Sequence, residues 1–538
     1  VNIPRLALTD STYRWWALVV TIIGNFMGML DTSIVNIAIP KIMAVFSVET
    51  KDAQWILTAY MLTMGVMQPV SGYLCDRFGT RRMYLFSLTV FTIGSALCGI
   101  AWSNDSMVFF RVIQAIGGGL IYPVTMTIVY HNFSREERYR AMSVWGLSAM
   151  VAPAIGPTLS GYIVEYWDWR LIFTINVPVG IVGYLLAALI LKETRLQGDG
   201  KFDAAGFATS SLGLFCLLLA LNKGAEEGWT SAYIIALLYV AFASLALFVA
   251  IELSQENPIL DLTVFKSWNF TCSSFVLFIG TIGLYGGLFM VPLFMENVRD
   301  YTEMQTGILL LPAGLISGLM MPIAVRIAKR VGPKPVLLTG IIILGTASLP
   351  FINLDMDTGY YTILLVMILR GVGLGLFLMT ATTMGMNALP LAKISRATSM
   401  KSVIRQVAGS FGIALLSTVI QHRQAYHLAH IAEYMNAASF PMKQALVSYE
   451  GLFWKTGGPP GAAKHILTYR DSLYAQSGFA PGIIQTKALA LINSVAQSQT
   501  LIFAFDDAFV VLALICFCGI IPALFLRSRP MSKTNRQQ

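Results

Sequence analysis

Runs of eighteen or more apolar residues recur along this chain from end to end, and that recurrence decides what it can fold into. A bilayer core about 30 Å thick is crossed by a helix of about 20 residues. Inside it each backbone N–H and C=O must be paired within the protein. We draw fourteen such spans, starting near Trp15, Ala53, Met83, Met107, Ala141, Leu171, Ala204, Ala232, Phe270, Met304, Val336, Tyr361, Thr398 and Ile502. Of the 538 residues 56% are hydrophobic and only 12% charged, against about 25% charged in a soluble protein. The expected fold class is therefore an all-α polytopic membrane protein. The first span is too long for a signal-peptide core and has no small-residue cleavage site, so it is kept as structure.

Lys and Arg collect in alternate loops. Arg77, Arg81 and Arg82 follow the second span, Arg135, Arg138 and Arg140 the fourth, and Lys192, Arg195 and Lys201 the sixth. Arg326, Lys329, Arg330 and Lys334 surround the end of the tenth, and Arg527, Arg529, Lys533 and Arg536 come last. The short loops between these carry only Lys41, Lys51, Arg170, Lys223 and Arg299. Short cytoplasmic loops hold the excess of Lys and Arg, so both termini are expected in the cytoplasm. The same bias accounts for much of the formal net charge of +9, and nucleic acid is not an expected partner. Cys75, Cys98, Cys216, Cys272, Cys516 and Cys518 lie in or beside apolar spans, so neither a disulfide framework nor a metal cluster is expected.

One connection is long. Residues 421–500, extracytoplasmic by alternation, contain periodic pieces such as HRQAYHLAHIAEYM and IIQTKALALINSVAQS. These are expected as amphipathic helices lying on the bundle or the membrane, or as a docking surface for a partner.

The chain also repeats itself. FFRVIQAIGGGLIYP (Arg111, Gln114) and ILRGVGLGLFLM (Arg370) each place an Arg early in a helix before glycines. GYLCDRFGTRR and RIAKRVGPKP are both basic turns with a Gly. Matching them sets spans one to six against nine to fourteen, giving expected units of 1–195, 266–538 and an inserted helix pair at 196–265. Two related helical lobes around a midplane site are the plan of secondary transporters.

GYLCDRFGTRR, Gly72 to Arg82, resembles the loop signature between helices two and three of the major facilitator superfamily, and RVIQAIGGG its fourth-helix signature. WGLSAMVAPAIGPTLSG resembles the fifth-helix antiporter signature. LDTSIVNIAIP and WDWRLIFTINVPVG are similar to the first- and sixth-helix patterns of the fourteen-helix drug:proton antiporters, the EmrB/QacA type. Ala115 and Ser160 stand where those signatures have Gly. The long loop looks most like the EmrB branch. The resemblance implies the major facilitator fold, two pseudo-symmetric six-helix bundles plus two inserted helices. It further implies a bacterial cytoplasmic membrane, a proton gradient as energy source with no cofactor, and a periplasmic adaptor protein as partner on 421–500. The loop signature (Gly72, Asp76, Arg77, Gly79, Arg81) and the fifth-helix set (Pro153, Gly156, Pro157, Gly161) are implied gating elements. Asp76 is implied to meet the positive end of the helix starting near Thr398, and otherwise pairs with Arg77 or Arg81 at the surface.

The residues carry their own argument. Glycines let helix backbones approach, and prolines free carbonyls and bend the axis, so the fifth helix is shaped to seal against the other half or simply to pack. A carboxylate at bilayer depth costs about 2.5–3.5 kcal/mol on insertion scales, so Asp31 needs a task. Asp31 and Arg111 fall at similar depth, and Gln114 shares the Arg111 helix face. The reading is a proton-dependent latch, the alternative a static ion pair. Glu296, Arg370, Lys401 and Arg405, with Tyr285, Phe289, Met290, Phe377 and Met379, are the candidate substrate cavity; snorkelling of Lys401 and plain core packing are the alternatives. Positive charge outweighs negative at depth, which favours lipophilic weak acids or neutral amphiphiles. No GxxxxGK[ST] loop or metal-ligand set is found, so ATP is not the direct energy source and no enzyme is expected. His131 and His422 are read as loop residues without a partner acid, and His427, His430 and His465 as part of the external loop. The leading function is proton-coupled multidrug export. Export of one endogenous lipid or fatty acid follows, and a non-transporting sensor or assembly subunit comes last.

Overall fold

In a computed structural model, residues 9–194, 202–255, 258–354, 358–434 and 481–527 are described. The bundle runs in chain order as α1 (Asp10–Ile34), α2 (Thr50–Met67, continued as Val70–Phe78), α3 (Thr80–Gly99), α4 (Asn104–Asn132), α5 (Arg138–Tyr166), α6 (Asn176–Ile190), α7 (Ala204–Glu227) and α8 (Ala232–Ser254). It continues as α9 (Trp268–Asn297), α10 (Glu303–Val331), α11 (Pro333–Thr346), α12 (Tyr360–Asn387), α13 (Ile394–Tyr434) and α14 (Pro481–Cys518). Thirteen described helical stretches are long and apolar enough to cross a membrane. The fourteenth, α2, falls short because it is polar on the face it buries, through Thr58, Gln68, Ser71 and Asp76. It breaks at Gln68-Pro69 because proline has no N–H for the ladder. Among the described residues there is no β-strand.

α1 to α6 pack on one another, as do α9 to α14, and the two groups meet along α5–α10 and where α13 crosses α2 and α4. α7 and α8 pair outside this core, with α7 against both α2 and α13. One end of the bundle holds Asp10, Arg77, Arg138, Lys192 and Arg527 and is called the basic end below. Its two repeated turns are built alike: α2 and α10 each stop at a glycine of positive φ, Gly79 at +93° and Gly332 at +91°, where a side chain would strain the backbone.

The long connection is a correction. The piece from Gln421 is no separate surface helix, because α13 runs unbroken to Tyr434, 41 residues, and α14 already begins at Pro481, 38 residues. At 1.5 Å per residue both exceed a bilayer core of about 30 Å. Without a Pro or Gly stop after Gln421, intrahelical bonds continue past the apolar run. Asp507 of α14 secures the pair, accepting from Arg423 Nε at 2.6 Å and lying 2.7 Å from His427 Nε2. His131 and His422 are thus helical rather than loop residues, and His427 has an acid partner. His465 and the rest of 435–480 lie outside the described residues.

Candidate functional site

Asp31 is fully buried near the far end of α1, and Arg111 of α4 is 1% exposed. Arg111 Nη1 donates to Asp31 Oδ2 at 2.7 Å and to Gln114 Oε1 at 2.8 Å. Gln114 Nε2 donates to Asp31 Oδ1 at 2.8 Å. α6 adds Asn176, whose Nδ2 reaches the same oxygen at 3.1 Å, and α3 adds Ser95, which accepts from Gln114 and Asn176 at 3.1 Å each. From α2, the Ile56 carbonyl accepts from Arg111 Nε at 3.4 Å, and the Tyr60 ring lies 3.8 Å from the guanidinium. Five of the first six helices therefore converge on one carboxylate.

A buried ion pair gains little net energy, since desolvating both charges opposes their attraction. Losing either partner is costly, about 3–5 kcal/mol, because a bare charge is left behind. Arg111, Gln114 and Asn176 each present an N–H donor to Asp31, an arrangement suited to the ionised carboxylate, and the Tyr60 hydroxyl lies beside them. A proton on either oxygen would face an N–H donor from Arg111, Gln114 or Asn176. It would be accommodated only by turning the carboxyl or flipping an amide, which loosens α1 from α4 and α6. The sequence brought Asp31, Arg111 and Gln114 together. It did not single out Asn176, Ser95 or Tyr60; the one available signal was Asn176, an amide at the start of an apolar helix.

At the basic end, Asp76 Oδ2 meets Arg396 Nε at 3.3 Å. Its contact is thus a side chain in the first turn of α13, beyond the helix end alone, and its partner is neither Arg77 nor Arg81. Gly72 brings α2 against α13: a Cβ there would sit 2.7 Å from the Ser395 carbonyl and 2.9 Å from Arg396 Cα. Hydroxyl pairs Ser71–Ser399 and Thr127–Thr398, each 2.7 Å apart, close the same seam. Arg138 Nη1 reaches Asn387 at 3.2 Å, from α5 to α12. Of the other signature residues, Arg77 bonds Tyr73, and Arg81 donates to the Ala188 carbonyl at 2.8 Å. Arg396 escaped the sequence reading because a cation at a helix start runs against the macrodipole, and its reason lies across the seam.

α5 does meet the other half. Gly161 faces Met304 and Pro157 faces Gly307, both on α10. Gly156 instead faces Ser33 and Ile34 of α1, inside its own half. Pro153 and Pro157 lie within an unbroken α5. Ala115 and Ser160 are fully buried where the signatures have Gly, so those contacts tolerate one small side chain.

The candidate cavity residues do not form one group. Phe377 fills the space left by Gly280 and Gly340, and Met290 belongs to a core cluster with Phe294 and Phe505, both within the second half. Arg370 is buried there as well, donating to Ser348 Oγ at 2.5 Å and to the Gly283 carbonyl at 2.8 Å. These three brace α12, α9 and α11, because the repeat that predicted Arg370 has no Asp31 counterpart facing it. Phe289 packs against the same cluster, and Glu296 lies by Thr306 at the far end. Met379 reaches Gly146 on α5. Arg405 does span the halves: it lies 4.4 Å over the Tyr122 ring, reaches the Met29 sulfur at 3.5 Å and faces Tyr285. Its Nη1 is buried without a partner among the described residues. Lys401, one turn earlier, donates to Ser273 Oγ at 2.8 Å. Among the described residues neither cation takes part in an ion pair.

Residues 21–413 match the Major Facilitator Superfamily. The chain is 32% identical over 521 residues to the uncharacterized MFS-type transporter YhcA of Bacillus subtilis (strain 168), covering 97% of this chain and 94% of that protein. It is 31% identical to the multidrug export protein EmrB of Escherichia coli (strain K12), covering 80% of this chain and 85% of that one. Identities so even single out no branch. The crystal structure of the human organic anion transporter MFSD10 (TETRAN) superposes with a TM-score of 0.61 at 11% identity, covering 96% of this chain and 99% of that one, a likeness of fold. The chain belongs to the major facilitator superfamily, as a membrane-embedded transporter related to multidrug-export proteins.

Proposed function

We propose that this protein is a proton-coupled antiporter that exports lipophilic drugs or toxic amphiphiles from the cytoplasm or the inner leaflet of a bacterial cytoplasmic membrane. The observation that carries the reading is the Asp31 carboxylate, buried and ringed by donors, 2.7 Å from Arg111. Held ionised, it ties α1 to α4 and α6. A proton arriving from outside weakens the tie, and the lobe repacks. The basic end is then the cytoplasmic one, closed by Asp76–Arg396 and the two hydroxyl pairs, so that Asp31 and the far end serve the outward side. Arg405 and Lys401, without neutralising acids among the described residues, favour weakly acidic or neutral amphiphiles over permanent dications, since a buried cation gains most from an anionic partner. The same two cations favour a second reading, export of one endogenous fatty acid or anionic lipid. Helices α13 and α14, longer than a span, support docking of a periplasmic adaptor on 421–500.

Everted vesicles containing the protein test these readings. Acid-interior vesicles are expected to accumulate several unrelated lipophilic dyes, while the Asp31→Asn variant binds dye but accumulates none. Undiminished gradient-driven uptake by Asp31→Asn would refute the latch. Uptake of one lipid class alone would favour the second reading.

A further inference from the structure

The inserted pair is built into the seam between the halves. α7 lies in the groove between α2 and α13, one helix from each half. On the first side, Asn222 lies 3.2 Å from Thr58 and Lys223 Nζ 3.4 Å from Gln54; on the second, Trp229 Nε1, just past the end of α7, donates to Thr418 at 2.8 Å. A ring contact joins the inserted pair and α2 at the basic end. Phe202, just before α7, packs against Tyr73 with ring centroids 5.4 Å apart, one residue from Gly72.

At the end of α8, Glu252 is 4% exposed. Its Oε1 accepts the backbone N–H groups of Ile259 and Leu260 at 3.1 and 3.2 Å, fixing the turn into α9. The next residue, Asp261, accepts from the Thr263 backbone at 2.9 Å and pairs with Lys393 Nζ at 2.9 Å. Lys393 also bonds the Thr263 hydroxyl. It stands three residues ahead of Arg396, the partner of Asp76, and Arg396 is within electrostatic reach of Glu252. A buried carboxylate is costly unless it is hydrogen-bonded, yet Glu252 Oε2 has no partner among the described residues. Core packing of an apolar α8 would not call for it.

We propose that the inserted pair is a clasp on the gate: Glu252 is a positioning residue that, through the turn at Ile259–Asp261 and Lys393, sets Arg396 against Asp76, while Phe202, leading into α7, braces Tyr73. The proposal rests on the antiporter reading only in that the two halves separate at this end during turnover.

The test is disulfide formation between Ser71→Cys and Ser399→Cys, whose hydroxyls touch in the closed seam, in full-length protein with the native cysteines replaced. It is read in vesicles without gradient or substrate. Glu252→Ala is expected to lower the closed-to-open ratio by about fivefold or more, the effect of weakening one state by about 1 kcal/mol, and so to slow cross-linking. Glu252→Gln, whose amide oxygen can accept the same two N–H groups, is expected to restore it. Asp261→Asn, which keeps the Thr263 bond but loses the ion pair, is expected to slow it as well. Parental cross-linking in Glu252→Ala, or equal slowing in Glu252→Gln, overturns the clasp. Where Glu252→Ala does not fold, an unchanged rate in Asp261→Asn overturns it. Absent dye export by the parent, with this ranking intact, would sink the antiporter reading and leave the clasp standing.

Discussion

Gly72→Ala is the sharpest probe of the gate. The added methyl would sit 2.7 Å from the Ser395 carbonyl and from Ser399 Oγ, and 2.9 Å from Arg396 Cα. Two of those three atoms are backbone of α13, so no rotamer change relieves the clash. Relief requires α2 and α13 to part. Overpacking of this kind costs about 1–3 kcal/mol. On the proposed alternation of the two halves this contact exists only while the basic end is closed, so the cost falls on one conformation and the closed-to-open ratio drops by about 5- to 150-fold. The assay is cross-linking of Thr127→Cys to Thr398→Cys, whose hydroxyls are 2.7 Å apart on the neighbouring α4–α13 contact. Gly359→Ala is the control, since its nearest neighbour there is Thr362 Oγ1 at 3.8 Å. Cross-linking in Gly72→Ala at the rate of Gly359→Ala would mean that the seam is plastic, and the reasoning fails.

Asn176→Ala removes a bond to a charged oxygen, and thermal unfolding in detergent is expected to report a loss of about 1.5–3 kcal/mol; no change in melting would place Asn176 outside the network. Arg405→Gln is expected to lower binding of an anionic dye by about tenfold or more while leaving a neutral analogue unaffected, the scale of one charge-assisted hydrogen bond; equal loss of both dyes would assign Arg405 to packing. Asp261, outside the spans, is pushed up by burial, but its bonds from Thr263 and Lys393 prevail and hold its carboxyl below the ordinary value. A depressed carboxylate stabilises above its unfolded value of about 3.9 and loses that contribution as pH falls through the lower folded value. The melting difference between parent and Asp261→Asn should therefore stay constant from about pH 8 to 5 and narrow only below about 4. A difference that changes between pH 8 and 5 would contradict the assignment.

The spans, their order and the doubled architecture are legible in the sequence because a bilayer imposes one length and one polarity on every crossing, and each crossing satisfies its own backbone. Asp31, Arg111 and Gln114 were legible for the same reason: a charge in an apolar run stands out. α2 is the instructive case. Its buried polar residues lower its hydropathy, so the feature that weakens it as a span marks the face it lays against its neighbours.

Residues whose meaning depends on a distant partner were not legible. Arg396 and Glu252 are unremarkable charges near helix ends until α13 is laid against α2 and the turn after α8 is folded under it. Arg370 matched Arg111 in pattern, yet it meets only a hydroxyl and a carbonyl, since nothing in a repeat guarantees that both partners are duplicated. Local hydropathy and hydrogen bonding fix where a helix begins and which residues share its face. Which face meets which neighbour is decided by close packing across the bundle, where glycine at position 72 and a cation at 396 take their roles only from what lies opposite.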